Sequence, residues 1–108
     1  MAAGASGGRR IMAAVLQLTA FVAGCGMTPA AAAHQPRIDV SDPHNVTADS
    51  RLDPDILHAL QADGPTEVVE HGVLPINFAC PNLVVQENGV RVGISDAASP
   101  WSAAVAQA

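Results

Sequence analysis

The sequence predicts a small α+β domain, one helix packed on a short antiparallel sheet, preceded by a signal peptide and a disordered tether. Three observations carry that expectation: an uncharged run at residues 11–23 behind two arginines, a capped amphipathic segment at 53–63, and two aliphatic runs joined by Asn88-Gly89. A chain of 108 residues supports one such domain at most. The boundaries that follow are a signal peptide at 1–24, a flexible tether at 25–50, the domain at 51–98, and a tail or short helix at 99–108.

The first element is read from charge, apolar core and small residues arriving in secretory order. Arg9 and Arg10 precede Ile11-Met-Ala-Ala-Val-Leu-Gln-Leu-Thr-Ala-Phe-Val-Ala23, and Gly24 and Pro29 break the run. A membrane span needs roughly 20 apolar residues, so the run suits a signal core better than a crossing. Its ending, Val22-Ala23-Gly24-Cys25, resembles the lipobox of bacterial lipoproteins. The resemblance implies lipidation of Cys25, cleavage before it, and a lipid bilayer as partner at the outer face of the cytoplasmic membrane. Three other readings compete: an ordinary cut after Ala31-Ala32-Ala33 that frees a secreted protein, a weak twin-arginine signal at Arg9-Arg10-Ile11-Met12, and an N-terminal core helix that happens to end in Gly-Cys.

Beyond residue 24, three arginines (Arg37, Arg51, Arg91) face all ten carboxylates, a net charge of −7. That sign opposes direct binding to nucleic acid. Residues 26–50 mix Pro, Ala, His, Asp and Ser with isolated aliphatics and hold no period, which reads as a tether. A helix then begins with Asp53 as cap, Pro54 in the first turn and Asp55 at the positive end of the dipole, and stops at Gly64-Pro65. Leu52, Ile56, Leu57 and Leu60 share an arc of about 140° on it.

Leu74, Ile76, Phe78 and Cys80 alternate, so a strand over Val73 to Cys80 would place them on one face, with Pro75 confining it to an edge. Leu83–Gln86 and Val90–Ile94 flank Glu87-Asn88-Gly89. A two-residue type I′ turn at Asn88-Gly89 sets Glu87 opposite Val90, Val85 opposite Val92 and Leu83 opposite Ile94. Ser99 and Pro100 can open a short terminal helix carrying Trp101 and Val105.

Candidate chemistry is sparse. Cys80 lacks a partner once Cys25 is lipidated or removed, and its place in the alternating series reads as a buried, inert thiol. His71 and Asn82 lie near it in sequence, without the signature of a cysteine protease. The histidines at 34, 44, 58 and 71 have no zinc-site spacing and read as solvated; no cofactor or metal is expected.

Glu70-His71-Gly72-Val73-Leu74-Pro75-Ile76-Asn77-Phe78, with Asn82 beyond, resembles a segment of the low-molecular-weight secreted T-cell antigens of mycobacteria. The resemblance implies a cystatin-like domain without enzymatic role. The function expected is therefore a non-enzymatic, lipid-anchored envelope protein, an antigen-like accessory that binds an envelope partner. The alternative is a soluble secreted enzyme or metal-handling protein that uses Cys80 and the histidines.

Overall fold

The computed structural model describes residues 1–105. In chain order it contains Ala2–Ser6 (β1), a 3-10 turn at Gly8–Arg10, and Ile11–Thr19 (α1), continued as a wider π turn over Ala20–Gly24. Pro29–His34 (α2), Ile38–Asp42 (β2), Asn45–Asp49 (β3) and Pro54–Asp63 (α3) come next. Thr66–Val69 (β4), Cys80–Glu87 (β5) and Val90–Ser95 (β6) complete it. The strands form two three-stranded sheets: β1-β5-β6, all antiparallel, and β2-β3-β4, in which β2 runs antiparallel and β4 parallel to β3.

Residues 1–24 take part in both a sheet and a helix of the structure. The segment read as a signal peptide is folded into the domain: β1 pairs with β5 from Ala2↔Val84 to Ser6↔Cys80, and α1 packs on β1, β2 and β5. Ala14 and Leu18, one helical turn apart, are buried, while Met12 and Leu16 on the opposite side are exposed. Gln17, the one amide in the apolar run, receives Ile38 N–H on Oε1 at 2.9 Å and donates Nε2 to Ile38 O at 2.7 Å. A side chain thus closes the first residue of β2 as a neighbouring strand would. An apolar run of this length is compatible with a leader or with a core helix, and in the structure it packs on three strands.

Residues 25–50, expected as a tether, carry α2, β2 and β3. Thr28 caps α2 by accepting from Ala31 N–H, Pro29 starts it, and Ala32 and Ala33 are buried. β2 and β3 follow as an antiparallel pair with a bulge between Asp39 and Asp42. Small residues and buried polar ones fill these positions, which is why no apolar period marks them.

α3 keeps its predicted cap, Asp53 accepting from Asp55 N–H at 2.8 Å. It serves as the crossover that parallel strands require between β3 and β4. None of its residues is fully buried, so it is not the core helix the sequence suggested. The strand expected over Val73 to Cys80 is a loop up to Ala79, with Leu74 exposed and Phe78 buried; Cys80 opens β5 instead. The β5–β6 hairpin has the predicted register, Leu83↔Ile94, Val85↔Val92 and Glu87↔Val90. Its turn has positive φ at both Asn88 (50°) and Gly89 (80°). Ser99–Trp101 form a turn rather than a helix start, and residues 106–108 of the expected tail lie outside the described residues.

Candidate functional site

Two features stand out, an exposed glycine corner and a buried charge network behind it. At the corner, β1 ends at Ser6 and the chain turns into the helix through Gly7 (φ 143°) and Gly8 (φ 61°), conformations that side-chain-bearing residues rarely adopt. A Cβ on Gly7 would lie 2.7 Å from Ala79 Cβ, so the loop before β5 sits directly against the corner. At Gly8 a Cβ would meet nothing within 4 Å. The helical turn starts with no side-chain cap, leaving its first amides free to serve an anion or a developing negative charge. Arg10 ties the corner inward, donating Nη1 to Ile76 O at 2.9 Å with Nε 3.6 Å from Asp39.

Behind it, Arg37 is fully buried and donates Nη2 to Asp96 Oδ1 at 3.0 Å and to Phe78 O at 3.3 Å. Asp49, also fully buried, receives Arg51 Nη2 at 2.6 Å and Arg51 N–H at 2.9 Å. His71, its side chain 7% exposed, lies between these pairs: Nε2 is 3.8 Å from Asp96 and Nδ1 is 3.7 Å from Asp49. Its ring meets the Phe78 ring edge-on at 5.2 Å. Burial pushes the Asp49 carboxyl up, but the hydrogen bonds and charge of Arg51, with His71 beyond, outweigh it and hold the group below its usual range. Asp96 is depressed in the same way, burial being outweighed by His71 and Arg37. Asp49 in turn raises Arg51.

The residues singled out from sequence lie elsewhere or in other roles. Val22 is half-buried, and Ala23, Gly24 and Cys25 are exposed at the end of the π turn, where Cys25 N–H bonds Ala20 O. Val22 and Ala23, but not Cys25, border a cleft of about 470 Å³ shared with Val85, Gln86 and Glu87. Cys25 and Cys80 are both unpaired. Cys80 is half-buried and lines a cavity of about 10 Å³ with His71, Asp96 and Ser99, room for about one water. His34, His44 and His58 are exposed, whereas His71 is a network member and not a solvated side chain. Sequence reasoning missed Gly7, Gly8, Arg37, Asp49 and Asp96. Only the Gly7-Gly8 pair ahead of a helical run carried a local signal; the others are brought into the network across 22 to 59 positions.

This arrangement of two sheets and helices is similar in fold to parts of solved gamma-glutamyltranspeptidase and acylase structures. The gamma-glutamyltranspeptidase from Pseudomonas nitroreducens, solved with L-DON, is 19% identical over 97% of this chain and 54% of its own, with a TM-score of 0.74. Cephalosporin acylase from Bacillus halodurans is 22% identical over 90% of this chain and 18% of its own, at 0.78. The CapD transpeptidase of Bacillus anthracis is 16% identical over 94% and 61%, at 0.69. No curated protein sequence matches the chain. The profile of the gamma-glutamyltranspeptidase family matches residues 1–106, and the chain belongs to that family.

These findings overturn the lipoprotein and T-cell-antigen resemblances, the cystatin-like fold and the non-enzymatic role. The nine-residue antigen-like stretch falls in a loop, a local likeness against a match that spans nearly the whole sequence. Of the two functions expected, the enzyme alternative is the one they favour. The chain spans about half the length of the Pseudomonas enzyme chain.

Proposed function

We propose that the chain works within an enzyme that cleaves or transfers an acyl group at a γ-glutamyl-type amide, and that the Gly7-Gly8 corner holds the oxygen on which negative charge develops. The observation that supports this is the uncapped helical start behind two exposed glycines of positive φ, within a family of this chemistry. Amides fixed in that way cost no reorganisation as charge builds, and one such donor contributes about 10²–10³-fold in rate. The described hydrogen bonds of His34 and His71 involve neither cysteine, so the reading assigns the attacking group to neither.

The test is release of anilide from a chromogenic γ-glutamyl anilide by the affinity-purified gene product. Activity is expected to co-purify with the tagged chain, to fall on the order of 100-fold in Gly8→Val, and to survive Cys80→Ala. Absence of release, or full activity in Gly8→Val, contradicts the proposal. Loss in Cys80→Ala would restore a cysteine-based mechanism.

A further inference from the structure

The corner is only as fixed as the loop against it. Ala79, which leaves no room for a Cβ on Gly7, is itself buried with φ 56°, a conformation an alanine keeps only when its neighbours hold it. Two things hold it through Phe78: Arg37 bonds the Phe78 carbonyl, and the Phe78 ring abuts His71. His71 is therefore two contacts from the glycine corner, and the groups facing it decide where its ring sits.

Those groups come from every element around the ring: Asp49 at the end of β3, Arg51 before α3, Asp96 after β6 with Arg37 behind it, and Cys80 at the start of β5. With a neutral ring, Nδ1 accepts from Arg51 Nη2 at 3.3 Å and the proton on Nε2 faces Asp96. When solvent supplies a second proton, Nδ1 can no longer accept and confronts the guanidinium as a like charge. Arg51 is half-exposed, so its Nη2 has solvent to turn toward while Nε keeps Asp49; Asp49 and Asp96 are buried. Without the Arg51 contact, the charged ring is drawn closer to the two carboxylates, which lie 3.7 and 3.8 Å from its nitrogens. The adjoining cavity of about 10 Å³ is too small to absorb that movement, so the Phe78 ring follows it.

We propose that His71 is a positioning residue for the Gly7-Gly8 corner, and that proton uptake by its ring shifts the corner through Phe78 and Ala79. The inference rests on the role given to the corner above, but its first readout does not need activity. In the ¹⁵N-labelled protein, titrated from about pH 5 to about pH 9, the amides of Gly7, Gly8 and Ala79 are expected to move with the same midpoint as the His71 ring. In His71→Phe, which keeps an aromatic edge on Phe78, that titration is expected to disappear; His71→Gln, which cannot gain the proton, should give corner shifts independent of pH. Corner amides that titrate unchanged in either variant, or stay still while the wild-type ring titrates, overturn the proposal. If His71→Phe does not fold, the wild-type and His71→Gln titrations decide it. Should the anilide assay show turnover, the pH profile of kcat is expected to flatten in His71→Gln, which a merely structural histidine would not cause.

Discussion

Replacing Leu18 by alanine separates a core helix from a removable leader. Leu18 is 1% exposed, on the face of α1 turned to β1, β2 and β5, and the substitution removes three carbons from that packing. At about 0.8 kcal/mol per buried methylene, the transfer loss is about 2.4 kcal/mol, and the cavity left behind brings the total to about 3–4 kcal/mol. That is a large share of the roughly 5–15 kcal/mol of a small domain. Urea unfolding followed by circular dichroism reads it directly: with a slope of about 1.5 kcal/mol per molar, the midpoint should fall by about 2 M. Leu16, 70% exposed on the other side of the same helix, supplies the control, and Leu16→Ala should stay within about 0.5 kcal/mol of the parent. Equal effects at the two positions, or none at either, would refute the packing argument.

Two further outcomes follow from the same structure. Because the folded pKa values of Asp49 and Asp96 lie below the ordinary aspartate value of about 3.9, their stabilisation is complete above that value and is lost as pH falls through the folded ones. Thermal midpoints should drop below about pH 4, with a smaller drop in Asp96→Asn; an unchanged acid limb in that variant would remove Asp96 from the account. Gly89→Val forces a β-branched residue into φ 80° at the hairpin turn and should cost more than about 1 kcal/mol in the same urea assay, and parent-like stability there would contradict the turn geometry.

Local physics is legible in this sequence and long-range physics is not. The Asn88-Gly89 turn and its flanking aliphatics set the β5–β6 register, and Asp53, Pro54 and Gly64 set the bounds of α3, because each signal lies within a few residues of its effect. β1 is Ala-Ala-Gly-Ala-Ser, with no β-branched or aromatic residue, and becomes a strand only because β5 pairs with it. α1 has the hydrophobicity of a leader, and nothing near Gln17 in sequence announces that its amide pairs with both backbone groups of Ile38. The charge network has no spacing to read, since Arg37, Asp49, His71 and Asp96 are brought together by both sheets and the loop between them. His71 looked like one of four unrelated histidines until the fold placed it between two carboxylates.

Hydrogen exchange of the intact chain, read by mass spectrometry, tests most directly whether the first 24 residues belong to the gamma-glutamyltranspeptidase-family domain. The account predicts that amides of β1 and α1 are protected to the same order as those of β5, since β5 holds β1 in register and α1 packs across both. Exchange of residues 2–24 at the rate of an unstructured peptide, beside a protected β5–β6 hairpin, would contradict it.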